Sequence, residues 1–293
     1  MGKKYAAGFR IIFMAVVGCV MLFFNSACKK TDLVPSYIHI DKIDLNTTYE
    51  FDGSNSCKIT DAWVYIDGDL QGIYELPATF PVLANGQHTI MVRAGIKLNG
   101  IAMSRAYYSY YQPWETTVLL TAEQTDTLHP TVTYYENKIH WKEDFETAGM
   151  TLLKFTNSDT NFIQTQDSAL VFEGASSGVA NMDATAPYLL SVSDQIYEIP
   201  QNQSPVFLEL NYKTNAPLAI GLFAVLNTGM NNRIDVMVLN PNTTWNKIYI
   251  NLTPAANVSS NVAGYKVFFE SYKPENQASA EVLLDNIKLL YTE

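Results

Sequence analysis

The sequence predicts an all-β chain built as two modules, and three observations carry that expectation. Short runs of apolar and polar residues alternate: Ala62, Val64 and Ile66 are interleaved with Trp63 and Tyr65, the period of a strand with one buried face. Clusters of Gly, Pro, Asn and Asp separate the runs, and helical periodicity is scarce. The length of 293 residues exceeds one core at the soft prior of ~150 residues per domain. Hydrophobic residues make up 47% and aromatics 12%, while only 16% are charged, which excludes an intrinsically disordered chain. A net charge of −10 argues against a nucleic-acid partner, because phosphates are held mainly by Lys and Arg. Three cysteines are too few for a disulfide framework.

The first element is an address. Lys3, Lys4 and Arg10 precede an apolar run from Ile11 to Phe24. That run is shorter than the ~18 residues of a membrane-spanning helix and has the size of a secretory signal core. Asn25-Ser26-Ala27-Cys28 follows. The arrangement resembles bacterial lipoprotein signals, in the relaxed form of Bacteroidota, with Asn25 where Leu is usual. The resemblance implies a signal peptide over 1–27, a lipidated linker over 28–36, and a lipid-bilayer anchor on Cys28. An uncleaved anchor helix is the rival reading. Lys29-Lys30-Thr31-Asp32 lacks both the Asp of an inner-membrane retention signal and the acidic run of surface-exported relatives. The expectation is therefore an outer-membrane lipoprotein, facing the periplasm in preference to the surface. Cys19 leaves with the signal, so Cys57 keeps the one thiol, and free Cys usually behaves as a small hydrophobe.

The first module is expected over 37–133. Ile38 and Ile40 alternate, and Ile43 and Leu45 continue one residue out of phase, which predicts a bulge. The next strand ends in Asp67-Gly68, a hairpin turn. The stretch Trp63-Val64-Tyr65-Ile66-Asp67-Gly68-Asp69-Leu70-Gln71-Gly72, with Asn85-Gly86-Gln87-His88-Thr89-Ile90-Met91-Val92 after it, resembles PEGA and immunoglobulin-like β-sandwich modules. Those modules are spacers or binding domains. Tyr107 to Tyr111 is the densest aromatic run. Read as a strand, Tyr108 and Tyr110 share one face. With Trp114 they are candidate ligand-binding residues, for a sugar face or a protein surface, and a buried cross-strand ladder is the alternative. Thr121 to Pro130 is polar and aperiodic, which predicts a boundary.

The second module is expected over 134–293. Strands are predicted at Leu170–Phe172, Val206–Tyr212, Leu218–Leu226, Ile234–Leu239, Ile248–Leu252, Tyr265–Phe269 and Val282–Leu290. Glu143-Asp144-Phe145-Glu146, Trp245 to Leu252 and Leu283-Leu284-Asp285-Asn286-Ile287-Lys288-Leu289 together resemble the jelly-roll, galactose-binding-like sandwiches of carbohydrate-binding modules. The resemblance implies a structural Ca2+ near Glu146 and Asp285, whose hard oxygens suit that ion; a solvated acidic edge is the alternative. Jelly rolls host many functions; under a glycan-capture reading Tyr188, Tyr212 and Trp245 are the candidates on one face, with core packing as the alternative for each.

No catalytic motif accompanies these modules. His39, His88, His129 and His140 have no metal-ligand spacing. Asp144 and Glu146 would share a strand face, and with Glu143 they would make a divergent glycosidase only inside an aromatic cleft. Asp126-Thr127-Leu128 and Asp167-Ser168-Ala169 resemble the Bacteroidota O-glycosylation sequon, making Thr127 and Ser168 candidates. The expected function is a non-catalytic, lipid-anchored binding or assembly subunit of the cell envelope, with an envelope protein or a glycan as partner. A glycan-binding accessory lipoprotein of polysaccharide utilisation is the alternative.

Overall fold

The computed structural model describes residues 34–259 and 261–293. The signal segment, Cys28 and Lys29-Lys30 lie outside the described residues. No described helix is long and apolar enough to cross a membrane.

The first half forms β1 (Ser36–Ile40), β2 (Asp44–Leu45), the single-turn α1 (Tyr49–Asp52), β3 (Asp61–Ile66), β4 (Asp69–Glu75) and β5 (Ala78–Val82), then β6 (Gly86–Lys97), β7 (Arg105–Tyr107), β8 (Trp114–Leu120), β9 (Thr125–Leu128) and β10 (Thr131–Val132). One sheet runs β4-β3-β6-β7, with β8 also on β6; a second runs β5-β1-β9; β2 and β10 pair by themselves. Ala62, Val64 and Ile66 face Ile90, Val92 and Ala94 in the core, as their period-two spacing requires. Asp67 and Gly68 both take left-handed backbone (φ 51° and 91°), the geometry a tight hairpin turn demands. Asp67 also ties that turn to β6, accepting from the Thr89 amide at 2.9 Å.

Two expectations fail in this half. Ile43 and Leu45 do not continue β1 through a bulge. The strand stops at Ile40, and β2 pairs with β10 in a separate sheet. The polar stretch 121–130, expected as an aperiodic boundary, carries a strand, because β9 runs parallel to β1 along its edge. Only Leu128 of β9 is buried, so its strand pattern is too weak to read locally.

The second half forms β11 (Ile139–Glu143), β12 (Leu152–Lys154), β13 (Ile163–Thr165), β14 (Ser177–Met182), β15 (Tyr188–Ser193), β16 (Phe207–Thr214) and β17 (Leu218–Leu226). Then come β18 (Asn231–Leu239), β19 (Asn242–Asn251), the short α2 (Thr253–Ala256), β20 (Val262–Tyr272) and β21 (Ala280–Leu290). These make a jelly-roll sandwich. One sheet is ordered β13-β14-β21-β16-β19 with β11 also on β21, and the other is ordered β12-β15-β20-β17-β18. Leu208, Leu210, Ile248, Ile250, Leu284 and Leu289 from the first sheet meet Ile220, Leu222, Val267 and Phe269 from the second in one core. Leu170–Phe172 is a turn rather than a strand. Its apolar side chains read as a strand because Phe172 packs on Trp245 from outside.

The two halves pack face to sheet. Phe207, Tyr249 and Leu290, on the outer face of the β16-β19-β21 sheet, join the apolar cluster of the first half. Leu98 bridges Tyr249, and Asn99 accepts from the Asn251 amide at 2.8 Å. The outer face of the other sheet carries its own cluster of Leu190, Val192, Phe223 and Phe268, to which no described residue of the first half contributes.

Candidate functional site

Three places gather the sequence-predicted residues, and they differ in what they can do. The first is the junction between the halves. β7 ends at Tyr107 and the chain turns, so Tyr108, Tyr110 and Tyr111 are all buried, at 4% exposure or less. The expectation that Tyr108 and Tyr110 form a ligand platform is therefore corrected: their rings are under the jelly roll. Trp114 is half-buried against the same cluster. Tyr108 packs edge-on against Phe207 and Tyr249. Its hydroxyl donates to Glu209 Oε1 at 2.7 Å, and Tyr134 donates to Glu209 Oε2 at 2.9 Å. Lys247 Nζ stands 3.2 Å from the same carboxylate, and both side chains are almost wholly enclosed. Lys288 Nζ donates to the Ser54 carbonyl at 2.7 Å and lies 4.6 Å over the Tyr134 ring. Burial pushes its amine down to about 7. Burying a charge this way demands partners, and the two halves supply them to each other. This is an anchoring interface.

The second place is an acidic cavity of about 380 Å³ lined by Tyr49, Asp144, Glu146, Glu173 and Asp285 among others. β11 stops at Glu143 and Phe145 takes left-handed backbone (φ 57°). Asp144 and Glu146 thus reach one cavity through a turn and not along a strand. Tyr49 donates to Asp144 Oδ2 at 2.8 Å. Glu146 accepts from the Ala175 and Ser176 amides at 2.9 and 3.1 Å. Asp285 accepts from the Asn286 amide at 2.7 Å, and burial, with Glu173 and Glu146 nearby, pushes its carboxyl up to about 7. Among the described residues no three His, Cys, Asp or Glu side chains gather as a metal site needs. Glu146 and Asp285, the expected calcium pair, do line one cavity with Asp144 and Glu173; backbone amides already engage the first carboxylate, and the second is largely enclosed. Glu143 is buried and accepts from the Phe145 amide at 2.9 Å and the Thr151 hydroxyl at 2.7 Å, which makes it a brace for the turn. That removes it from the glycosidase reading.

The third place is the free sheet face. Tyr188 of β15 sits opposite Tyr272 of β20, and their rings stack with centroids 4.5 Å apart. Tyr272 is 59% exposed. Two residues along β20, on the same face, Glu270 accepts from the Tyr188 hydroxyl at 2.7 Å. Arg233 of β18 reaches Glu270 Oε1 at 3.0 Å, makes a second contact with Oε2, and bridges on to Asp235 at 2.8 Å. Burial pushes the Glu270 carboxyl up, but the Arg233 pair and the Tyr188 hydroxyl outweigh it, and the group titrates below its ordinary range. The Arg233 guanidinium lies 4.5 Å over the Phe268 ring, which a planar cation favours. Phe268 lies flat because Gly221 opposite it has no side chain. Phe223 and Phe155 extend the aromatic floor. The result is a ring pair, Tyr272 exposed and Tyr188 half-buried, beside a fixed row in which Arg233 and Asp235 reach solvent and Glu270 is buried.

The other predicted residues disperse. Tyr212 and Trp245 lie on β16 and β19, in the opposite sheet to Tyr188, so the three do not share a face. Tyr212 is buried in the core. Thr127, on the edge strand β9, and Ser168, in a turn, are both exposed. The free-face partners Arg233, on β18, and Glu270 and Tyr272, on β20, meet Tyr188 of β15 only through sheet pairing, which no local pattern shows. The one local trace is the alternation of Phe268, Glu270 and Tyr272.

No family model and no curated protein matches this chain. Solved structures do. A xylan-binding domain of carbohydrate-binding family 22 is 12% identical, over 54% of this chain and 97% of its own, with a TM-score of 0.39. The first family 22 xylan-binding domain of Xyn10C from Paenibacillus barcinonensis is 14% identical over 53% and 95%, with a TM-score of 0.38. The family 30 module of a cellulosomal cellulase of Clostridium thermocellum is 13% identical over 52% and 91%, with a TM-score of 0.35. At these values the likeness assigns neither a ligand nor a residue role to this chain.

Proposed function

We propose that this chain is a non-catalytic, lipid-anchored glycan-binding protein of the bacterial envelope. The observation that carries the reading is the Tyr188–Tyr272 stack, with Tyr272 exposed and Tyr188 half-buried, beside the Arg233–Glu270–Asp235 row, on the sheet face the first half leaves open. An aromatic ring stacks on the C–H face of a sugar, while ionic groups locked in place hydrogen-bond its hydroxyls without further ordering cost. A glycan array with the whole chain tests it. Sugars should bind, and Tyr272→Ala should weaken them at least tenfold, about 1.4 kcal/mol. Unchanged binding in that variant would remove the free face from the reading. Cys28 is the proposed anchor, in a segment that resembles a lipoprotein signal; Cys28→Ala should move the protein from membrane to soluble fractions.

A protein partner at the first module is the second reading. The outer face of its larger sheet carries Trp63 and Arg93, which sit opposite each other, with Tyr107 edge-on to Trp63 and under the Arg93 guanidinium. Trp, Tyr and Arg are the residues enriched at interfaces. Affinity purification with wild type and Trp63→Ala checks this: an envelope protein held by the first and lost by the second supports it.

A further inference from the structure

We infer that the crease between the two halves is a second saccharide site, suited to a neutral oligosaccharide and separate from the free sheet face. The crease encloses about 650 Å³, lined by α1 and its flanks, by Gln112, and by the segment from Thr133 to Lys142. Ligand sites of ~300–1,000 Å³ favour such domain junctions.

Two aromatic rings form part of its wall from different elements. Phe51 of α1 is 69% exposed and Tyr135 of the joining segment is 40% exposed. Asn46, Glu136 and Asn137 are exposed around the same space. Planar amides and a carboxylate next to ring faces match paired hydroxyls next to a sugar's apolar face. The charges of the lining nearly balance, with Glu50, Asp52 and Glu136 against Lys138 and Lys142, so a polyanionic glycan has no excess of cations to hold it.

The walls are fixed in advance. Lys142 Nζ donates to the Glu50 carbonyl at 2.6 Å, and Tyr49 donates across to Asp144. The Thr48 amide donates to Asp52 at 2.9 Å, closing the single turn that carries Phe51. Gln112 Nε2 donates to the Tyr134 carbonyl at 2.9 Å, which holds the segment carrying Tyr135. A site whose walls are held before binding loses less entropy when it binds. Because α1 belongs to one half and Lys142 to the other, the site exists only while the halves stay docked.

The test is a neutral-oligosaccharide array followed by calorimetric titration of every sugar that binds the whole chain. Wild type, Tyr272→Ala, Phe51→Ala/Tyr135→Ala and the triple variant are compared, with unchanged melting temperature as the folding control. The expected result is residual binding in Tyr272→Ala that falls at least tenfold when Phe51 and Tyr135 are also removed. Full binding lost on Tyr272→Ala alone overturns the crease site and leaves the free face standing. Full binding lost on Phe51→Ala/Tyr135→Ala alone supports the crease and overturns the free face. A chain that binds no sugar overturns both. A neutral peptide library whose hits depend on Phe51 and Tyr135, with no sugar doing so, overturns the saccharide assignment.

Discussion

Glu209→Gln is the sharpest perturbation of the architecture. Glu209 is fully buried, accepts from the Tyr108 and Tyr134 hydroxyls, and faces the Lys247 ammonium at 3.2 Å. Gln keeps the shape and one acceptor oxygen, and the Tyr108 and Tyr134 hydroxyls both reach Oε1, at 2.7 and 3.0 Å, so both contacts can survive. What it removes is the counter-charge to a lysine that is itself buried. Breaking a buried pair from one side costs about 3–5 kcal/mol, because the remaining charge is left uncompensated. For a chain of this size each kcal/mol moves the melting temperature by roughly 2–4 °C, so the variant should melt roughly 10 °C lower. Differential scanning calorimetry of the purified chain reads this directly. Lys247→Met in the same background should cost less than the sum of the single changes, because it removes the stranded charge. A Glu209→Gln melting shift below ~2 °C would refute the reasoning and mean that the junction does not depend on its buried charges.

The remaining predictions concern pH and packing. Asp285 titrates near 7 in the folded chain, above its ordinary 3.8, so the folded form holds its proton over that window and the unfolded form does not. Its contribution is complete below about 3.8 and is lost as pH rises through about 7; in urea melts across that range, Asp285→Asn should flatten this loss. Lys288 has the opposite pattern. Its folded value near 7 lies below the ordinary 10.5, so its contribution is complete above about 10.5 and falls away toward 7; Lys288→Met should remove that rise between pH 7 and 10. Gly221→Ala would drive a methyl into the Phe268 ring and the Ile234 carbonyl. Overpacking of this kind costs about 1–3 kcal/mol, seen as a lower urea midpoint, and the tilt forced on Phe268 should also weaken any sugar that depends on Arg233.

Much of the strand pattern was legible from period alone. Leu218–Leu226 is β17 to the residue, and the Asp67-Gly68 hairpin turns where its backbone freedom says it should. Reading failed where burial came from outside the local element. Tyr107 to Tyr111 looks like a two-faced strand because the jelly roll buries what a single sheet would leave open. β9 looks like a linker because its one buried residue gives no period. The candidate site was the least legible part. Tyr188 stood out as an aromatic, but Tyr272, Glu270 and Arg233 meet it only through the pairing of β15 with β20 and of β18 with β17. Tyr212 and Trp245 look like it in sequence, because residue type says nothing about which sheet of a sandwich a strand joins. Glu146 and Asp285 did converge on one cavity, yet amides and burial hold their oxygens in ways that a motif does not reveal.

The most direct test of the glycan-binding account is a titration of the isotope-labelled chain with its tightest-binding sugar, followed by amide chemical-shift mapping. The account predicts that the largest changes cluster on one face of the β15-β20-β17-β18 sheet, at Tyr188, Arg233, Glu270 and Tyr272. Changes confined to the acidic cavity around Asp144 and Asp285, or to the Trp63–Tyr107 face of the first half, would contradict it.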